Sequence, residues 1–301
     1  MKKRVVSVLS LVMALMLYAE SACGEATPLL YQVTDQEGHI LYLLGTIHVG
    51  EEDMYPLSKA VQEAYQDADI LAVEMDVFAV QKDIAQMMQY SMALMYTGAE
   101  TAKDHLSEEI YTLGVKNLGY PEAVIRRMRP FAWLSLAQEQ CYSRIGQSAE
   151  LGVDMMLLKN AHETGKTIHE LEGMASQMET MMSMPEEIVE FQLQQFLLYP
   201  DAADLSMKML CAAWRQGNEE MLSLLLNQEA EGMPQELQDE YALYMDTLLH
   251  RRDTLFEEKA IEYLQSGNTV LFSVGAAHIV GEGALADRLE KAGYTVKEIG
   301  R

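Results

Sequence analysis

Two apolar, β-prone runs at opposite ends of the chain finish in the same way. Leu41-Tyr42-Leu43-Leu44 leads into Gly45-Thr46-Ile47-His48-Val49-Gly50, and Val270-Leu271-Phe272-Ser273-Val274 leads into Gly275-Ala276-Ala277-His278-Ile279-Val280-Gly281. A short apolar run bounded by glycine reads as a buried strand. Glycine at its end lets the backbone turn sharply and pass close to other groups. Each run therefore delivers a rigidly placed His at a strand end. A chain built this way must bring two distant segments into one sheet if the two imidazoles are to act together.

What surrounds these runs repeats one plan. After His48 comes a polar loop, then Ser58 as the N-cap of a helix with Val61, Ala64, Tyr65 and Ala68 on one face, then the strand Ile70–Val73. After His278 comes a helix that stops at Gly293, then the alternating strand Tyr294–Ile299. Each is a βαβ unit, expected to form a parallel crossover. Leu29–Val33 and His39–Leu44 flank a polar turn and predict a hairpin. The expected fold is α/β, a largely parallel or mixed central sheet. Residues 27–301 form one domain, with a helical insertion over about 78–265. Within the insertion, Thr167–Glu172 reads as a further short strand, and Tyr241–Leu264 as one long amphipathic helix. The Met pairs Met87-Met88, Met155-Met156 and Met181-Met182 read as adaptable core or groove filler.

The N-terminus stands apart. Lys2-Lys3-Arg4, an apolar run from Val5 to Leu17, and Ser21-Ala22-Cys23-Gly24 have the layout of a secretory signal peptide over residues 1–24. Cleavage near residues 24–26 and lipidation at Cys23 are two readings of its end. Both place the mature chain outside the cytoplasmic membrane, touching it at most through that signal or lipid anchor. An exported location permits a Cys141–Cys211 disulfide, and two buried free thiols are the equal alternative. The formal charge of −24 repels nucleic-acid phosphate and argues against DNA or RNA partners.

The chemistry-bearing residues gather at expected strand ends. Glu74 and Asp76 follow the strand Ile70–Val73, the position where sites form in open α/β sheets. Two neutral imidazoles, His48 and His278, with the Glu74 carboxylate are a ligand set for a divalent metal. Such an ion would lower the pKa of bound water, with a carboxylate as general base. Arg129, fixed at a helix start by Pro130, reads either as a surface ion pair or as a cation aimed at a substrate carboxylate or oxyanion. His39, His105, His162 and His250 read as solvated, and His169 as a strand residue satisfied by a polar neighbour. No nucleophile elbow, His-Glu-x-x-His motif or P-loop is present.

Leu43-Leu44-Gly45-Thr46-Ile47-His48, Val73-Glu74-Met75-Asp76, Arg129-Pro130, Gly152-Val153-Asp154, Glu170-Leu171-Glu172 with Gln177, and Val274–Gly281 occur in an order that resembles the TraB/GumN family. The animal Tiki proteases belong to the same wider group. The resemblance implies a metal-dependent, protease-like hydrolase that acts on a peptide or protein. It implies a divalent ion (Mn, Co or Zn) at His48, His278 and Glu74, and catalytic parts for Glu74, Arg129 and Arg252. The family often has Arg-Asn where this chain has Arg252-Asp253, which leaves Arg252 as an anion clamp and Asp253 without a role. The alternative is a non-enzymatic extracellular protein that binds haem, a metal or a small ligand on the same fold. A third reading makes both His structural.

Overall fold

Ile70–Val73, Ile40–Thr46 and Val270–Gly275 are almost wholly buried, as continuous apolar runs in a covered parallel sheet must be. In the computed structural model, which describes residues 25–300 apart from the side chains of 227–231, they form the centre of one six-stranded sheet. The strands are β1 (Leu30–Thr34), β2 (Ile40–Thr46), β3 (Ile70–Val73), β4 (Thr167–Glu170), β5 (Val270–Gly275) and β6 (Thr295–Glu298), in the spatial order β4-β3-β5-β2-β1-β6. The expected signal peptide, with Cys23, lies outside the described residues.

The sheet is mixed and mostly parallel. β3 pairs in parallel with β4 and β5, and β5 in parallel with β2. β1 is antiparallel to both β2 and β6. The expected hairpin joins β1 to β2 through a turn closed by Gly38 at φ 90°. The two βαβ units are present but interleaved. β5 lies between β2 and β3, and β2 and β1 lie between β5 and β6. Neither unit is a pair of neighbouring strands, because each wraps around strands of the other. Interleaving sets the register Thr46↔Gly275 and Val73↔Ser273, so β2, β3 and β5 end on the same edge.

The main core covers the sheet. It includes Leu43, Leu44, Leu71, Phe272 and Val274, with Val153, Leu157 and Leu158 from the helix Val153–Thr164 and Phe256, Ala260 and Leu264 from the helix Arg251–Ser266. The segment between β3 and β5 also has cores of its own. Ile110, Ile125, Trp133 and Leu193 form one, and Ile188, Met233, Tyr241 and Tyr244 another. β4 comes from this same segment and completes the sheet edge, so the block is not purely helical. Its last helical stretch is also not uniform. The helix Gln235–Met245 passes through a π-turn, Asp246–His250, into Arg251–Ser266.

Some side-chain expectations change. Met87 and Met88 are 38% and 65% exposed, on a helix (Ile84–Ala93) that buries none of its residues. They are surface residues and not core filler. Cys141 and Cys211 are buried free thiols. Their pKa values are pushed up, first of all by burial, to about 11 and about 12. His105 is not simply solvated, since it stacks on Tyr96 at 4.8 Å between ring centroids and bonds Glu186. His162 bonds the carboxylate of Asp76, which caps the helix Val77–Lys82. Among the described residues, no helix is long and apolar enough to cross a membrane.

Candidate functional site

The two glycine turns meet each other. A Cβ on Gly45 would lie 2.5 Å from Ile279 Cδ1 and 3.2 Å from Ala276 Cα, so the first motif is glycine where the second folds across it. The indole N–H of buried Trp214 donates to the Gly45 carbonyl at 2.9 Å and satisfies it inside the core. His48, Glu74 and His278 then converge on Gly275. A Cβ built there would lie 3.4 Å from Glu74 Oε1 and 3.8 Å from both His48 Nε2 and His278 Cδ2. Sequence-distant strand ends thus deliver three of the expected residues to one point.

His48 is the accessible member, with its side chain 68% exposed. Its Nδ1 is 3.2 Å from Asp154 Oδ1, and no described residue bonds its Nε2. Asp154 lies in the first turn of the helix Val153–Thr164, which docks on the His48 loop through Val153 N–H to Ile47 O at 2.9 Å. The fit is tight, since a Cβ on Gly152 would meet the His48 carbonyl oxygen at 2.6 Å. The Asp154 charge, with its hydrogen bond and the nearby Glu74 carboxylate, raises the His48 pKa to about 9. Gly152→Ala is expected to displace the His48 backbone, destabilise the chain by about 1–3 kcal/mol as overpacking does, and lower activity more than stability alone explains. Melting curves and turnover measured together check this.

The rest of the cluster is buried and fully engaged. Arg252 uses all five of its N–H groups. Its Nε donates to Glu172 at 3.0 Å, and its Nη1 donates to Leu248 O at 3.1 Å and to His278 Nε2 at 2.9 Å. Its Nη2 donates to Glu74 and to Glu172. A guanidinium can only donate, so His278 accepts at Nε2 and its Nδ1–H donates to Asp253 Oδ1 at 2.7 Å. Glu74 accepts from the Gly275 N–H at 2.7 Å and from Gln177 Nε2 at 3.1 Å, besides Arg252. Burial alone would raise the Glu74 pKa. The opposing charges of Arg252 and His48, with the Gly275 N–H, hold it at about 2.

This arrangement changes three expected roles. Arg252 has no N–H left to clamp a substrate. Glu74, ionised and held by three donors, is a weak general base. Arg129 is not part of the cluster. Its guanidinium lies over the Tyr96 ring at 4.9 Å, its Nε has no hydrogen-bond partner among the described residues, and its backbone bonds Leu94. The expected metal centre depends on free donor atoms. A divalent ion needs open lone pairs on several ligands, but those of His278 Nε2 and Glu74 Oε2 already receive Arg252. Among the described residues, no three His, Cys, Asp or Glu side chains are arranged to hold an ion. The donors as arranged do not fit one.

Four partners had no assigned role: Asp154, Glu172, Gln177 and Asp253. Glu172 carries a readable signal, because it stands just past β4 as Glu74 stands just past β3. The backbone bond from Glu172 N–H to Glu74 O at 3.1 Å aligns the two. Asp253 follows Arg252 on a helix whose buried positions run Arg252, Phe256, Ala260 and Leu264 in steps of four. That stripe points Arg252 inward. His169 meets the Tyr263 hydroxyl at 3.1 Å and takes no part in the site.

Comparison with known proteins reaches the level of family. No solved structure matches the chain. It is 25% identical over 253 residues to the uncharacterized protein YbaP of Escherichia coli (strain K12), covering 82% of this chain and 87% of that protein. A relative of the same name in Shigella flexneri matches to the same extent. The family model described as TraB/PrgY/gumN matches residues 29–298, from the first core strand to the last, and the chain belongs to that family.

Proposed function

We propose that the chain is an exported hydrolase of peptide bonds whose proton-transfer group is His48, oriented by Asp154. The observation that carries this reading is the His48 ring. It is exposed at the sheet edge, anchored at Nδ1 by a carboxylate, and presents Nε2 toward Glu74 and Gly275 with no partner among the described residues. A ring nitrogen held by a third group is the recurring form of an acid–base catalyst. Raised to about 9, its pKa keeps the ring protonated at neutral pH. It then stabilises the oxyanion as water adds to the carbonyl and gives its proton to the leaving amine. Glu74 Oε1, which accepts only the Gly275 N–H, keeps a lone pair that orients that water and takes its proton as the carbon–oxygen bond forms. The carbon–nitrogen bond breaks as His48 protonates the nitrogen, and the proton on Glu74 then passes back to His48. No step in this scheme passes through a metal ion. The peptide as substrate rests on the protease-like character that the family resemblance implies.

Two measurements test the reading together. Incubation of the full chain with a mixed peptide library should give new amino termini that are unaffected by a chelator. The pH profile of kcat/KM should be flat through neutrality and fall with an apparent pKa of about 9, because the active form needs protonated His48. Asp154→Asn should move that fall toward the ordinary value of 6.5. Activity that rises through pH 6–7, or that a chelator abolishes, would overturn the scheme.

A further inference from the structure

We infer that Arg252 is a built-in cation, standing where a divalent ion would otherwise bind between Glu74, Glu172 and His278. The guanidinium carbon is surrounded on three sides by groups that are good metal donors. Glu172 takes Nε and Nη2, Glu74 takes Nη2, and His278 offers its Nε2 lone pair to Nη1. The hydrogen bond from His278 Nδ1 to Asp253 fixes the tautomer that a metal-bound His would also need. These are the atoms that would ligate an ion, so guanidinium and ion compete for one set of lone pairs. Repulsion between the two cations makes the exclusion stronger in a buried place.

Arg252 is also firmly held. Its side chain is 10% exposed, its Nη1 bonds the Leu248 carbonyl in the π-turn that precedes it, and its guanidinium lies over the Phe256 ring at 5.3 Å. A residue so placed does not swing aside to admit an ion. With Arg252 shortened, two carboxylates and an oriented imidazole would remain, a set whose ligand types suit Zn or Mn. The natural site is therefore closed to divalent ions by one side chain, and it becomes an ion site only when that side chain is gone and the two carboxylates and the imidazole draw in around an ion. The inference concerns the cluster assigned above as the active site, but it does not depend on what His48 does there.

The test uses the full mature chain, stripped with chelator and dialysed against Mn²⁺, Co²⁺ and Zn²⁺ in turn. Bound metal is counted by mass spectrometry, and affinity is measured by calorimetry. The unaltered chain should hold no ion that depends on His278 or Glu74. Arg252→Ala should bind one ion per chain about 100-fold more tightly than the unaltered chain, and adding His278→Gln should remove that gain. Its melting temperature should rise with added ion. Arg252→Gln, which keeps two N–H donors, provides a second folded background if the alanine variant does not fold. One ion per unaltered chain, lost in His278→Gln or Glu74→Gln, overturns the inference. So does a folded Arg252→Ala or Arg252→Gln chain that gains no ion. Neither result touches the pH profile that reports on His48.

Discussion

His48→Gln is expected to lower kcat/KM by roughly 100- to 10,000-fold while leaving the fold intact, the range for removing a positioned acid–base group. The side chain is 68% exposed, so its loss opens no cavity in the core. Gln keeps an N–H that can reach Asp154 but cannot hand a proton to a leaving amine. The residual activity should lose the fall near pH 9, because the titrating group is gone. Added imidazole should restore part of the rate without changing the melting temperature. The contrast with His278→Gln is informative. His278 is buried, its Nε2 faces Arg252 and its Nδ1 faces Asp253, so its loss should reduce stability and activity together. Steady-state kinetics and thermal melting on both variants separate the two roles. Turnover within threefold of the unaltered chain in His48→Gln would remove His48 from the chemistry.

The same His gives a dependence of stability on pH. Its folded pKa is raised, so the stabilisation from the Asp154 pair is fully present below about 6.5 and is lost as pH rises through about 9. Asp154→Asn removes this dependence. An NMR titration of the His48 ring in both proteins, expected near 9 and then lower, measures the shift itself.

The parts of this protein that can be read from its sequence are those set by local pattern. Each of His48, Glu74 and His278 closes an apolar run, and a buried strand that stops at a glycine or a charge announces its own end. Their meeting at Gly275 follows from the parallel register of β2, β3 and β5. The interleaving of the two βαβ units could not be read this way, since nothing local says that β5 inserts between β2 and β3. Arg252 shows the other limit. In sequence it sits in His250-Arg251-Arg252-Asp253, a run that looks solvated, and Arg251 is indeed exposed. Which of two adjacent arginines turns inward is decided by the packing of Phe256, Ala260 and Leu264 against the sheet. Arg129 failed in the opposite sense. Its place before Pro130 fixes its backbone, as expected, but the direction of the side chain was set by Tyr96, more than thirty residues earlier.

Removing the Arg252 charge should have the largest effect on stability. Arg252→Met is expected to destabilise the chain by roughly 3–5 kcal/mol, the range for breaking a buried ion pair from one side. The reason is what remains. Glu74 and Glu172 have side chains 11% and 2% exposed, and both would be left buried without their cation. Restoring neutrality should recover most of the loss. Arg252→Met/Glu74→Gln/Glu172→Gln should be markedly more stable than Arg252→Met alone, a non-additivity expected of groups in one network. The pH dependence has a definite sign. In the unaltered chain Glu74 has its pKa held at about 2, so its stabilising contribution is present above the unfolded value near 4.5 and is lost as pH falls toward 2. Without Arg252 the same carboxyl is raised by burial, and protonation then favours the folded state. The stability gap between the two proteins should therefore narrow as pH drops from 5 to 3. Urea denaturation at pH 7, 5 and 3, with chelator present so that no ion takes the place of the guanidinium, measures it. A gap that stays constant across that range would mean that Arg252 holds the helix Arg251–Ser266 by packing alone, and that its charge is not what ties β3, β4 and β5 together at the site.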